Sequence, residues 1–399
     1  MTIPGSWLSA ARAAGLLTPS GTLATTIFSE MSALANELGA VNLGQGFPDE
    51  DGPRVVLDAA KAAIDAGINQ YPPGRGFPEL IDAIIAHQKR FYAIDGLGRE
   101  NVLVTAGATE AISATLLALL EPGDEVITFE PFYDEYAAII GLAHARHVTV
   151  PFDHPEQLPQ AVTAHTRAIL INNPNNPTGR VLSPEALQLI VDTAAAHDIY
   201  IITDEVYEHL IYDGRTHLPI ATLPGAAERT ITISSAAKTF SVTGWKIGWL
   251  TAPADLVTAI LTVKQYLTFT NGAPFQPAIA RGLALEDSFY AGLAAGLQRK
   301  RDILVDGLTT AGFAVDVPAG TYFVVADGAA LGYSDAVELS RVLATDVGVV
   351  GIPVTAFTTP ENAASYRSLL RFAFCKKEPT LREAADRLSR LRPRASVAR

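Results

Sequence analysis

The chain has a single cysteine, Cys375, in 399 residues. One thiol excludes an intrachain disulfide and any zinc site built on cysteines. It suits a reducing, cytoplasmic setting. Positive charge is also scarce: Lys and Arg number 30 against 42 Asp and Glu, a net charge of −12. A general nucleic-acid binder needs a basic face, so nucleic acid is not an expected partner, whereas a small anion in a locally basic pocket is compatible. No apolar run approaches the ~20 residues of a membrane-spanning helix; the longest near a helical pattern is 111–120. The opening segment lacks the basic start and continuous apolar core of a signal peptide. The expectation is therefore a cytoplasmic protein without a membrane partner. Several signatures are missing too. There is no P-loop, no third glycine in frame after Gly74 and Gly76 or after Gly96 and Gly98, no nucleophile elbow and no His-Glu-x-x-His. His144 and His147, three apart on a possible helix, read as solvated residues, and no metal is expected.

Hydrophobic residues make up 48% and charged residues 18%, which rules out bulk disorder. The length predicts two domains, or one large domain with an appendage. Runs rich in Val, Ile and Thr at 102–106, 125–129, 168–172, 200–203, 230–234 and 246–251 read as strands buried on both faces. Helical patterns at 109–120, 184–197 and 254–266 lie between them, the second opened by Ser183-Pro184-Glu185. This alternation predicts a doubly wound α/β domain with a mostly parallel sheet. The last third changes to an α+β pattern: a long helix at 287–311, strands near 313–317, 322–326 and 369–374, and a helix at 379–391. The expected division is an N-terminal arm with part of the small domain (1–50), a large domain (51–285) and a C-terminal small domain (286–399). Residues 1–50 are expected to pack with the last piece.

Polar clusters follow the predicted strands, where open α/β sheets bind ligands. Gly107-Ala108-Thr109 opens a helix whose free N–H groups suit a phosphate. The Asn/Pro run at 172–177, with Thr178-Gly179, follows a second strand; alone it is only a turn signal. Asp204-Glu205-Val206-Tyr207 follows a third, and Ser234-Ser235-Ala236-Ala237-Lys238 a fourth, with Lys246 just beyond. Together they offer a phosphate cradle, a carboxylate, a phenol, an amide and an amine. Pyridoxal 5′-phosphate needs that inventory, including a lysine for covalent attachment and an acid at the pyridine nitrogen. Arg371 sits in the apolar strand Leu369-Leu370-Arg371-Phe372-Ala373-Phe374. Buried arginine is almost always paired, here either with a structural carboxylate or with a substrate's.

On these residues the chain resembles the class I pyridoxal-phosphate aminotransferases of the aspartate aminotransferase fold, over about 42–376. The segments 234–240 and 244–248, Asn176-Pro177-Thr178-Gly179 and Asp204-Glu205-Val206-Tyr207 carry the likeness. Asn42-Leu43-Gly44-Gln45-Gly46-Phe47-Pro48 is similar to the kynurenine and glutamine transaminase branch. Gln70-Tyr71-Pro72-Pro73-Gly74 and Gly272-Ala273-Pro274-Phe275-Gln276 look most like actinobacterial N-succinyldiaminopimelate aminotransferases. The resemblance implies that Lys238 carries the cofactor and moves the proton, and that Asp204 pairs with the pyridine N–H. It implies that Tyr207 and Asn176 bond the ring oxygen and that Tyr133 stacks on the ring, core packing being the other reading of that tyrosine. Ala108, Thr109, Ser235 and Lys246 would hold the phosphate. Lys246 stands where many relatives have Arg, which keeps the charge and loses the fork. Tyr71 would reach the neighbouring subunit's phosphate, implying a homodimer with shared sites. Arg371, Gly46 and Asn176 would clamp the substrate carboxylate, with Phe28, Tyr266 and Phe269 as pocket or core residues. The expected reaction exchanges an amino group between an L-amino acid and a 2-oxo acid. The alternative is a kynurenine, methionine, glutamine or aromatic aminotransferase, and a β-lyase on the same fold is the competing enzyme class. A transcription regulator would need an added basic domain. No Arg lies in 264–272 to meet a short dicarboxylate, so aspartate is expected to be a poor donor. Arg75 is the expected contact for a longer substrate's distal carboxylate.

Overall fold

A computed structural model describes residues 3–18 and 20–394, so the outermost ends of the first and last expected domains lie outside the described residues. The strands are β1 (Val41–Asn42), β2 (Val102–Thr105), β3 (Glu125–Glu130), β4 (Arg146–Pro151), β5 (Thr166–Asn172), β6 (Tyr200–Asp204) and β7 (Thr230–Ser235). They continue with β8 (Gly248–Thr251), β9 (Ala314–Asp316), β10 (Phe323–Asp327), β11 (Val349–Val350), β12 (Ile352–Pro353) and β13 (Leu369–Ala373). The central sheet has the order β2-β8-β7-β6-β5-β3-β4, and β8 alone runs antiparallel to its neighbours.

The strands read as apolar because both faces are covered. Ala168 and Leu170 point to one side, beneath the helix Gly107–Leu119; Ile169 and Ile171 point to the other, against the helix Pro184–His197. Burying each such branched side chain stabilises the fold by roughly 1.5–3 kcal/mol. The helix Pro184–His197 starts as its sequence dictates: the Ser183 side chain accepts from the Ala186 N–H, and Pro184 occupies the first turn, where no N–H is needed.

Strand register sets the site. Asn172 pairs with Asp204 across β5 and β6, while Thr105 and Ser235 both pair with Gly248. The polar ends of four strands therefore emerge along one edge of the sheet. A second sheet, ordered β12-β13-β10-β9, is wholly antiparallel and holds Arg371 between Val325 and Ile352. β1 pairs with β11, so residues 41–46 arrive beside Arg371.

Two expectations change here. Of the first residues, the helix Ile27–Leu38, β1 and the segment 43–50 join the C-terminal part, the helix through Met31 and Ala35 against Val350 and Phe357. The helix Trp7–Ala13 lies instead on the helix Glu135–Leu142; a Cβ at Gly141 would stand 2.5 Å from that of Ala13. His147 is not on a helix: it lies in the edge strand β4, half-buried, bonded to Thr128 Oγ1 at 2.7 Å and edge-on to Phe132.

Candidate active site

A cavity of about 400 Å³ opens where the strand ends meet the antiparallel sheet. Its floor is an anion cradle. The chain turns from β2 into the helix Gly107–Leu119 at Gly107, whose φ of +77° favours glycine. A Cβ there would press on Lys246 Cε at 3.2 Å. A Cβ at Gly248 would strike the Gly107 carbonyl carbon at 2.5 Å and the Ala108 nitrogen at 2.8 Å. First-turn N–H groups have no carbonyl partner within a helix, and the helix dipole favours negative charge there. Lys246 Nζ adds a cation, reaching Thr109 Oγ1 at 3.4 Å. Ser235 lines the cavity, but its hydroxyl donates to the Ile247 carbonyl (3.2 Å) and accepts from Ala237 N (3.1 Å), so it caps the short helix Ala236–Thr239. Gly248→Ala should cost about 1–3 kcal/mol by overpacking and weaken anion binding; thermal denaturation with and without phosphate checks both.

Behind the cradle, Asp204 is buried. Its Oδ2 accepts from the Tyr136 hydroxyl at 2.7 Å and its Oδ1 from Val206 N at 3.3 Å. Burial pushes its carboxyl up to about 6, against the opposing pull of Tyr136. The Asn172 amide donates to the Asp204 carbonyl (2.9 Å) and accepts from Asn176 N (2.6 Å), tying the two functional strand ends together. Asn173 and Asn175 are absorbed by the turn itself; Asn176 faces the cavity. Lys238 projects from Ala236–Thr239 with Nζ 5.6 Å from the Tyr322 ring and 5.9 Å from the Tyr207 ring. Burial lowers its affinity for a proton; Lys246 and Arg371 act in the same direction, and Cys375 and Asp204 oppose.

Arg371 closes the opposite wall, with 3% of its surface exposed. Nη1 donates to Asn176 Oδ1 at 2.9 Å and Nη2 to the Gly44 carbonyl at 2.8 Å. Its guanidinium carbon lies 4.1 Å from the Phe323 ring centroid and 4.5 Å from that of Phe357. Among the described residues no carboxylate forms an ion pair with it, and its Nε is buried without a partner. Burial lowers its proton affinity to about 10, so it stays charged at neutral pH. A buried unpaired cation is costly; this one is poised for an anion in the cavity.

Phe28, Gly46 and Tyr133 also line the cavity. Tyr71 does not: it is 79% exposed and packs edge-on against Phe269 at 5.3 Å. Tyr266 and Phe269 are exposed and lie outside this subunit's cavity wall, which excludes the core-packing reading of both. Arg75 is outside this subunit's cavity as well. Its carbonyl accepts from Val104 N at 2.9 Å, laying its segment along β2, and Nη1 donates to the Glu100 carbonyl before that strand begins. Its guanidinium is thus at the far end of β2 from Gly107. Sequence reasoning missed Tyr136, Glu135, Tyr322 and Phe357. Tyr136 has the helical spacing of a core residue from Phe132, and no sequence signal marks its hydroxyl as the partner of Asp204. Tyr322 donates to the Gly46 carbonyl at 2.6 Å and so fixes that loop.

The profile of the family described as "Aminotransferase class I and II" matches residues 39–388. The chain belongs to that family. This aminotransferase is 51% identical over 388 residues to the Mycobacterium tuberculosis protein named "Probable N-succinyldiaminopimelate aminotransferase DapC", covering 94% of this chain and 98% of the relative. It is 38% identical to the methionine aminotransferase of Escherichia coli over 92% of this chain and 96% of the relative. The solved structure of the M. tuberculosis N-succinyldiaminopimelate aminotransferase superposes with a TM-score of 0.90 at 50% identity, over 98% of this chain and 99% of that one. A Thermus thermophilus aspartate aminotransferase bound to maleate superposes at 0.85 with 30% identity, over 98% of this chain and 100% of that one. The fold is thus that of the aspartate aminotransferases, as the resemblance implies, and its large sheet is the doubly wound α/β unit that the alternation of strands and helices predicts. No helix among the described residues is long and apolar enough to cross a membrane.

Proposed function

We propose that this aminotransferase works with pyridoxal 5′-phosphate and takes N-succinyl-L,L-diaminopimelate with the glutamate/2-oxoglutarate pair, serving lysine biosynthesis. The observation that carries the reading is Arg371: a buried guanidinium with an orphaned Nε, sharing one cavity with a buried lysine and an anion cradle. The residues fit the cofactor. Gly107 and Gly248 leave the cradle open beside Lys246, and Asp204 keeps a carboxylate within the same walls. Ala108, Thr109 and Lys246 would hold the phosphate, joined by Ser235 where its hydroxyl turns from the Ile247 carbonyl, with Asp204 at the pyridine nitrogen, Asn176 and Tyr207 at the ring oxygen, and Tyr133 on the ring face. When bound, the cofactor supplies an electron sink that acidifies the substrate Cα–H.

The chain's own residues do the rest. Arg371 takes the α-carboxylate, with Asn176 and the Gly46 loop beside it, and so aims Cα–H at Lys238. Lys238 Nζ, its proton affinity lowered by burial, removes that proton and returns it, as a general base must. Phe323 and Phe357 cover Arg371 and keep water from its charge. Exposed Tyr71 supports a homodimer in which it reaches the other subunit's phosphate. The same reading divides the chain into an arm with part of the small domain (1–50), a large cofactor domain (51–285) and a small domain (286–399).

The donor is tested by spectroscopic half-reactions. N-succinyl-L,L-diaminopimelate should exceed methionine and kynurenine in kcat/KM by about tenfold or more, the scale of one well-placed contact. Aspartate should be the poorest, because its second carboxylate would be desolvated without a partner. Methionine or kynurenine in first place would replace the proposed donor.

A further inference from the structure

Glu135 lines the same cavity, and the chemistry above gives it no part. It opens the helix Glu135–Leu142 against the first turn of Gly107–Leu119. Its Oε2 is sealed from solvent without a hydrogen-bond partner, and its Oε1 has only a long contact of 3.5 Å from Ser113 Oγ. The Thr109 hydroxyl accepts from Lys246 Nζ at 3.4 Å, and both groups favour the ionised form of this carboxyl. A phosphate on this helix terminus would meet the carboxyl across Thr109.

We propose that Glu135 sets the pH range over which the cradle grips a phosphate: protonated it shares the site, and ionised it competes with the phosphate for Thr109 and Lys246. The proposal rests on the pyridoxal-phosphate reading and deepens it. Burial, then the charge of Asp204, push the Glu135 carboxyl up to about 7. Asp134 on its own helix acts in the same direction, while Thr109 and Lys246 pull the other way. The facing helix adds the neutral hydroxyl of Ser113. β4 brings the half-buried His147, whose proton affinity desolvation lowers to about 4, so it is neutral. The helix Trp7–Ala13 contacts the far side at Gly141 through Ser9 and Ala13. The sign follows. Below about 7 the carboxyl is neutral and phosphate affinity is unopposed. As pH rises through that value it ionises, and two like charges face each other at low dielectric. Phosphate affinity must then fall by the amount that bound phosphate raises the carboxyl's proton affinity.

The test is equilibrium dialysis of full-length wild type and Glu135→Gln, freed of cofactor, with pyridoxamine 5′-phosphate. This probe binds without a covalent bond to lysine. Titration of the probe is common to both proteins and cancels in the ratio of their Kd values, while any change that the variant causes in Asp204 shows equally with a probe that lacks the phosphate. That ratio, wild type over variant, should be near one at acidic pH and rise to about tenfold or more at alkaline pH, a modest value for a charge pair at this range. With pyridoxamine, which lacks the phosphate, the ratio should stay flat. A flat ratio for the phosphorylated probe overturns the proposal, as does an equal rise for both probes. If neither protein binds pyridoxamine 5′-phosphate at any pH, the cofactor reading falls first and this inference with it.

Discussion

Lys238→Ala should lower the rate of amino-group transfer by at least about 10⁴-fold, the upper range for loss of one general acid–base group, because this lysine is assigned more than that one step. Its position argues for the size. The amine stands on a four-residue helix at the end of β7, set by the Ser235 cap and by the Ala236 N–H on the Ile247 carbonyl at 3.0 Å. Neither the other amine nor the nearby phenols can replace it. Lys246 is committed to the cradle, and Tyr207 and Tyr322 are phenols whose protons burial holds firmly. The cofactor should still bind, since the cradle and Asp204 are untouched, but without covalent attachment. Single-turnover kinetics with added glutamate would measure the loss. A fall of less than about a hundredfold, the lower range for such a group, would show that another base works here.

Arg371→Leu should reduce kcat/KM for α-amino acids by about 2–5 kcal/mol, the cost of truncating one partner of a buried charged pair. That is roughly thirty-fold to several-thousand-fold. Cofactor affinity should fall much less than kcat/KM, because Arg371 touches no phosphate-cradle residue and meets the cofactor's residues only at Asn176. An amine donor lacking the α-carboxylate separates the roles: its rate should be unchanged or improved, as leucine removes an unpaired buried charge. Equal losses for both donors would make Arg371 a structural residue. The Nε without a partner and the absence of an ion pair among the described residues argue against that outcome.

Much of this was legible in the chain. The central strands announced themselves as short Val/Ile runs because both faces are buried, and Ser183-Pro184 marked its helix start through local capping. The clusters after β2, β5, β6 and β7 were visible because strand ends and their turns are contiguous in sequence. What was hidden depends on packing between distant segments. β4, Arg-His-Val-Thr-Val-Pro, is an edge strand with an exposed first residue and half-buried ones after it, so it lacks the continuous apolar run of its neighbours. Tyr136 and Glu135 lie on a helix whose partner, Gly107–Leu119, precedes it by a whole strand. The direction of Arg75 was not legible either, since it follows from pairing along β2 rather than from its place after Tyr71. Phe357 stacks on Arg371 from an irregular turn that has no periodicity to read.

The central claim is that Lys238 holds the cofactor in the cavity that Arg371 closes. Borohydride reduction of the purified enzyme, followed by peptide mass mapping, tests it most directly. The account predicts a pyridoxyl adduct on the peptide containing Lys238, with Lys246 and the other lysines unmodified. An adduct on Lys246 or elsewhere, or none on an enzyme that transfers amino groups, would contradict it.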